Sequence, residues 1–380
     1  MIIKDRYSCI IFVGIDTNNT PKVYRIADAL NSYTKGCHVF TLTKLENRIG
    51  CHHTSYHYGR KTCYRTALAF AIGFLTITIK ILREKPRIIY AIDPFAGMIA
   101  ILVTAIKRGI YFYESLEIFC DSSSFLFSGK LKKFWYVIER QIARNAKAFI
   151  ATDQYRMRFL RRYYKIHPDK CFFLLNTPPK PTLLPDPYSL KKKSPSAIVF
   201  SYAGMILEDR CIEMIFKCMA DLPENVGLVM IGAGNEYYTN KLKELSHQLK
   251  ISNKISWLGK FDNNDLRLLL SETDCTFALY DNNCLTNRFC SPNKIFDALY
   301  SGVLTICTHS YLTRDVIQQH GVGLVIDKVN HKDLLHAMRR VIEMLTKSPD
   351  IRFYCTSLAL TKYNWENESK KVRYILDKYI

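Results

Sequence analysis

The chain has 380 residues, 48% of them hydrophobic and 23% charged, with a formal net charge of +20. That length and balance exclude a disordered or fibrous chain and fit two domains of ordinary size. The charge is concentrated: residues 1–195 hold 32 Lys and Arg against 13 Asp and Glu, and residues 196–380 hold 22 against 21. One strongly basic half predicts one anionic partner, either nucleic acid or an anionic membrane face. The 13 cysteines form no CxxC pair and no zinc-type spacing with His. Cys9, Cys218, Cys275 and Cys307 stand in apolar contexts and read as small core residues. With no secretory leader pattern, the expected setting is a reducing cytoplasm. The longest apolar run, 66–79, lies between Arg65 and Lys80 and is too short for a bilayer span.

Along the chain, 8–14 (SCIIFVG) predicts a buried strand, 21–33 a helix and 38–42 a second strand. Helix 66–82 precedes strand 87–93, which ends in Asp93, then helix 97–106 and strand 110–114. Helix 130–145, strand 148–152 and helix 154–164 follow. The proline-rich stretch 174–196, with its run Lys191, Lys192, Lys193, reads as an interdomain linker. The alternation then restarts: strand 197–204, a helix near 211–220, strand 226–232, helix 236–249, strand 254–259 and helix 263–271. Strand 275–280, helix 291–301, strand 303–308 and helix 332–346 complete it. Such alternation predicts two parallel, doubly wound sheets, whose ligands sit at the carboxyl ends of the strands.

One helix start carries an unexpected residue. Ser291 is a good N-cap, Pro292 suits the first helical position, and Gly302 closes the helix. Ile295 and Leu299, four apart, share its buried face. A Ser-capped helix favours Glu three residues on, because acidic groups suit the positive end of the helix dipole. This chain has Lys294 there. A cation beside exposed N–H groups makes sense where an anion, above all a phosphate, docks between them. Asn293 and Asp297 are spaced to share one side of the helix with Lys294. Spacing alone leaves two readings: a nucleotide diphosphate on the N–H groups and Lys294 with its ribose on Asp297, or a surface Lys–Asp pair.

Glycine turns follow two predicted strands, Gly204 in YAGMILEDR and Gly232 and Gly234 in MIGAGNEYY. They allow close approach to a ligand, or simply a tight turn. Arg210 is a phosphate candidate on one reading and a solvated surface charge on the other. No DxD triplet is present, so no metal is expected.

The ordered set YAGMILEDR, VMIGAGNEYY, KISWLGKF, FALY and SPNKIFDALYSGVLTICT resembles the donor domain of nucleotide-sugar glycosyltransferases. The resemblance is to the retaining family 4 (group 1) enzymes of GT-B fold, in particular a subset with a Ser-Pro-Asn-Lys helix start. TPKVYRIADAL, IYAID, YESLEIF and 148–179 fall in the family's order, and 362–379 resembles its closing helix. The resemblance implies two Rossmann-like domains facing a cleft: 1–178 for the acceptor, a linker 179–197, a donor domain 198–355, and a helical segment 356–380 crossing back. It implies that Gly204, Arg210, Gly232, Ser291, Pro292, Asn293, Lys294 and Asp297 bind the donor. Glu117, Arg210 and Lys294 are the implied catalytic set, with Gly14, Asp93 and Glu117 toward the acceptor. The chain departs from the family at Leu116, where His is frequent, and at Phe289, the earlier slot of an acidic pair. Met205, Cys211 and Ile212 reduce the first donor loop's basic set to Arg210.

The expected function is sugar transfer from a UDP- or GDP-sugar to a glycan or lipid-linked glycan in cell-surface polysaccharide synthesis. Retention, no cofactor and no metal are expected. Segments 129–144 and 155–165 interleave Lys and Arg with aromatics such as Phe134, Trp135 and Tyr136, either as interfacial helices or as core aromatics with solvated charges. With the basic half, they predict peripheral, salt-sensitive attachment to an anionic membrane at its cytoplasmic face, rather than nucleic-acid binding. Competing readings are an inactive sugar-nucleotide binder, motivated by Leu116 and Phe289, and a nucleic-acid-binding protein, which lacks a recognised module. A serine acyl-enzyme using Ser291 and Lys294 lacks the SDN and KTG partners.

Overall fold

The computed structural model describes residues 3–12, 22–41, 67–119, 131–180, 198–261, 263–281, 285–348 and 350–380. Gly14 and linker residues 181–197 lie outside the described residues. The chain divides into two compact units: Met1–Asn176 with Glu368–Ile380, and Thr177–Asn367.

Unit 1 runs β1 (Ile3–Phe12), α1 (Lys22–Asn31), β2 (Thr34–Thr41), α2 (Ala67–Glu84), β3 (Ile88–Ile92) and α3 (Asp93–Ile106). It continues with β4 (Ile110–Ser115), α4 (Leu131–Asn145), β5 (Ala148–Ala151), α5 (Gln154–Tyr164) and β6 (Cys171–Phe173). The strands are parallel in the order β2-β1-β3-β4-β5-β6. Every residue of β3 and β5 is buried, as in a parallel sheet with helices on both faces. The strand period of two is visible on β4. Tyr111 and Tyr113 meet α4, donating to Ile142 O at 2.7 Å and Glu139 Oε1 at 2.9 Å. Glu114 points to the other face, where it accepts from buried Lys22 Nζ and, at 2.7 Å, from Tyr90 OH. Lys22 also donates to Leu174 O at 2.7 Å, so one buried charge pair ties α1, β3, β4 and the end of β6 together. Asp153 caps α5 by accepting from Tyr155 N and Arg156 N at 2.8 and 2.9 Å.

Unit 2 runs β7 (Ile198–Ala203), α6 (Ile212–Ala220), β8 (Val226–Ile231), α7 (Glu236–Gln248), β9 (Ile255–Gly259) and α8 (Asn263–Ser271). Then come β10 (Cys275–Ala278), α9 (Leu285–Arg288), α10 (Asn293–Tyr300), β11 (Leu304–Thr308), α11 (Tyr311–Thr313) and β12 (Gly323–Ile326). Helices α12 (His331–Lys347), α13 (Ile351–Thr361) and α14 (Trp365–Tyr379) end the chain, α14 entering unit 1 from Glu368 onward. The sheet order is β12-β11-β10-β7-β8-β9, all parallel. The winding therefore proceeds from β7 to β9, then reverses to β10 on the opposite side of β7. A crevice outside the carboxyl ends of two strands that diverge this way is where doubly wound sheets take ligands.

Two local expectations change. Asp93 does not end β3; it opens α3 with φ of +71°, a left-handed conformation that Asp tolerates better than most residues. Ser291 does not cap the helix over 291–301. Pro292, in extended conformation, is the residue before α10, no side chain caps the helix, and Ser291 Oγ is buried without a hydrogen-bond partner. The proline ring fixes φ near its helical value but leaves ψ extended here, which starts the helix two residues after Ser291.

Candidate functional site

The unit 2 residues singled out in the sequence gather where the winding reverses. After β7 the chain turns at Gly204 with φ of +131°, and after β8 at Gly232 with φ of +152°. The two turns lie against each other: Gly204 N donates to Ile231 O at 2.8 Å, and Ile206 N to Ala233 O at 3.0 Å. A Cβ on Gly232 would stand 1.8 Å from Gly204 O, and one on Gly204 would stand 2.8 Å from Lys294 Cε. Glycine at 204 thus makes room for the Lys294 side chain.

Lys294, in the first turn of α10, holds its Nζ 4.3 Å from the Tyr202 ring centroid. Arg210 ends a short 3₁₀ turn, its guanidinium 4.7 Å from the Tyr280 ring centroid and 3.1 Å from Asp209 Oδ2. Burial, and after it repulsion from Arg210, lowers the Lys294 ammonium from 10.5 to about 7. Among the described residues no carboxylate lies within ion-pair distance of Lys294. Two mutually repelling cations, a helix start without a side-chain cap and an unsatisfied Ser291 hydroxyl make a place that an anion would stabilise.

Asp297 does not pair with Lys294. Its Oδ1 accepts from Arg267 Nε at 2.9 Å, and Arg267 in turn lies 5.0 Å from the Tyr300 ring centroid. The surface Lys–Asp pair is therefore not what α10 carries. Asn293 is exposed and Pro292 buried. Phe289 packs against Tyr311, with ring centroids 5.3 Å apart. Tyr202, Tyr280, Asp209 and Arg267 were not singled out from the sequence. Tyr202 stands two residues before a strand-ending glycine, which is a usable signal; nothing local marks Tyr280 or Arg267.

In unit 1, Asp93 and Glu117 stand at the carboxyl ends of β3 and β4. Asp93 Oδ1 accepts from Leu116 N at 3.1 Å, and Leu116 O accepts from Arg156 Nη1. Burial raises the Asp93 carboxyl well above the usual range, and Glu117, Glu139 and Glu114 add to it against the opposing Leu116 bond. Ser115 Oγ lies within hydrogen-bond distance of both Glu117 O and Glu139 Oε1, at 2.9 Å each, and shares its one proton between them. The 115–117 backbone is thus held from three elements, while the Glu117 side chain is exposed. A separate pocket of about 470 Å³, lined by Arg144, Lys165, Ile166, His167, Pro168 and Lys170, lies at the opposite, amino ends of β5 and β6. Among the described residues no group of three or more His, Cys, Asp or Glu is placed to hold a metal ion.

Residues 189–351 match the family of glycosyl transferases group 1. No curated protein matches the chain in sequence. Among solved structures, sucrose-phosphate synthase from Thermosynechococcus elongatus superposes with a TM-score of 0.77 at 14% identity, over 98% of each chain. Alr3699/HepE from Anabaena, in complex with UDP-glucose, gives 0.72 at 12% identity, over 98% of this chain and 100% of that one. WaaG, a glycosyltransferase involved in lipopolysaccharide biosynthesis, gives 0.71 at 12%, over 97% and 99%. At these identities the likeness is one of fold: two doubly wound α/β units, the GT-B architecture. The family match lies within unit 2, the unit that holds Lys294 and Arg210.

Proposed function

We propose that the protein transfers a sugar from a nucleotide-diphosphate sugar to a glycan or lipid-linked glycan, with retention, in cell-surface polysaccharide synthesis. The observation that carries this reading is the approach of two cations beside the start of α10: Lys294, which has no carboxylate within ion-pair distance, and Arg210, whose charge only Asp209 offsets. Cleaving the sugar–phosphate bond leaves growing negative charge on the diphosphate. Cations and backbone N–H groups fixed where that charge develops stabilise the transition state more than the ground state. Lys294 and Arg210 take the diphosphate in this reading, Gly204 and Gly232 let the backbone approach it, and Asp297 takes the ribose beside Arg267. Asp93 and Glu117 serve the acceptor side. Retention corresponds to attack from the face that the diphosphate leaves. Structural neighbours that hold UDP, UDP-glucose or UDP-2-fluoro glucose favour a uridine nucleotide over a guanosine one.

A thermal-shift series with UDP, GDP and their sugars tests the proposal, because a ligand that binds only the native state raises its stability. UDP and one UDP-sugar should raise the melting temperature of the wild type more than that of Lys294→Ala at the same concentration. Equal stabilisation of Lys294→Ala would remove the diphosphate from this site. Turnover by purified protein separates an enzyme from the inactive binder that Leu116 and Phe289 suggest.

A further inference from the structure

Four helices of unit 1 cover one face of its sheet. Three connections in one direction, β3 to β4 to β5 to β6, keep α3, α4 and α5 on a common face when each is right-handed. The β2-to-β3 crossover runs the same way and brings α2 to that face, packed beside α3. The outward surfaces of α2, α3 and α4 are apolar. Ile72, Leu75 and Ile79 form a stripe along α2, Leu102 and Ile106 one along α3, and Leu131, Phe134 and Val137 one along α4. These are not marginal exposures: Leu75 is 60% exposed, Ile106 57%, and Phe134 and Val137 55% each. Eight large apolar side chains on three adjacent helices exceed the scattered exposure normal for a soluble surface.

The exposed charge on these helices has one sign. Helices α2 to α5 contain three acidic residues, Glu84, Asp93 and Glu139, and none is exposed. Arg83, Lys132, Lys133, Arg158 and Arg162 on the same helices are exposed, and Arg108 follows α3. The structure also redistributes the aromatics of α4 and α5. Trp135 is buried, Tyr136 OH donates to Tyr163 O at 3.2 Å, and Tyr164 OH donates to Glu139 Oε2 at 2.6 Å. Only Phe134 of the α4 aromatic run faces outward, while α5 turns arginines out and forms a basic flank.

We infer that the α2–α3–α4 face, flanked by α5, seats unit 1 on an anionic lipid surface, its apolar stripes entering the acyl boundary and its arginines and lysines meeting the headgroups. Charge complementarity selects this occupant. A second copy offering the same face would set arginines and lysines against their like. The inference extends the expected electrostatic attachment by adding an apolar component located on named helices. It stands apart from the donor site, so its test needs no turnover.

The test is co-sedimentation of the full chain with vesicles of phosphatidylcholine alone or mixed with phosphatidylglycerol, at low and high salt. Wild type should partition to the anionic vesicles, and salt should weaken binding without abolishing it. Leu75→Asp with Phe134→Asp should lower the partition coefficient at least tenfold, with an unchanged melting temperature because both side chains are exposed. Arg158→Glu with Arg162→Glu should lower it on anionic vesicles by roughly fivefold or more per position. The milder Phe134→Ser should lower it in the same direction, and guards against misfolding of the acidic variant. Wild-type binding by folded Leu75→Asp/Phe134→Asp protein, or no binding of wild type to anionic vesicles, would overturn the inference. So would a vesicle-free dimer that the same substitutions dissolve, since that assigns the face to a second copy.

Discussion

Lys294 brings a charge into partly buried surroundings that disfavour it. Its folded-state value of about 7 lies below the ordinary lysine value of 10.5, so the unfolded chain binds more protons between those limits. Stability should therefore rise with pH across that window. Lys294→Met should stabilise the unliganded protein fully below about pH 7, with the gain fading as pH approaches 10.5. An anion beside the ammonium restores its charged form. UDP binding at pH 8 should then take up a proton, which calorimetry in buffers of different ionisation enthalpy reads directly, and the uptake should vanish in the variant. Removing the group should also cost a charge-assisted bond of roughly 1.5–3 kcal/mol. Turnover by Lys294→Ala should fall about tenfold to hundredfold, more than substrate binding falls, because the contact tightens as the leaving group gains charge. Wild-type kinetics in a folded Lys294→Ala protein would remove Lys294 from the chemistry.

The two glycine turns that end β7 and β8 divide structural from local roles among the elements. Gly232 meets the backbone oxygen of Gly204, which cannot move without pulling β7 out of register, since Gly204 N is bonded to Ile231 O. Gly204 meets the flexible end of Lys294 instead. Both carry positive φ, whose strain for a residue with a Cβ is roughly 1–3 kcal/mol. Gly204→Ala should lose about that much stability and should also displace Lys294, erasing the UDP-induced thermal shift. Gly232→Ala should fail more severely, with little folded protein recovered. Equal melting temperatures for the two variants would contradict the account of why the turns are glycine.

At the scale of the whole molecule, charge is divided unevenly between the two units. In the proposed reading, Lys294 and Arg210 of unit 2 neutralise the diphosphate in place of a metal ion. Activity in the presence of EDTA should accordingly match that without it. A complete loss, restored only by added divalent ions, would show that those two side chains are not the neutralising groups. Unit 1 carries most of the net charge, and its exposed basic residues border an apolar helical face. The same sequence feature, a basic half, thus becomes a surface only when four helices are laid side by side.

The alternation of strand and helix was legible because periodicity is a local property: a run such as IIYAI or a spacing such as Ile295 to Leu299 declares itself within one element. The two-unit, doubly wound architecture followed from that alternation, and the helix over 154–164 has the bounds its residues predict. Short elements escaped. The strands Cys171–Phe173 and Gly323–Ile326 have too few residues to show a period, and the helix start at Asn293 turned on the ψ of one proline. Local sequence marked Ser291, Lys294, Arg210, Gly204 and Gly232 as unusual, yet it could not say what surrounds them. Arg267 reaches Asp297 from 30 positions away, and Lys22 reaches Glu114 across 92. Strand order decided those neighbours, because it sets side by side helices and strands that are remote along the chain. The sequence by itself determined which segments form helices and strands and how charge is divided between the halves. Only the tertiary structure decided which charges meet, since Coulomb forces and burial depend on distance in space rather than along the chain.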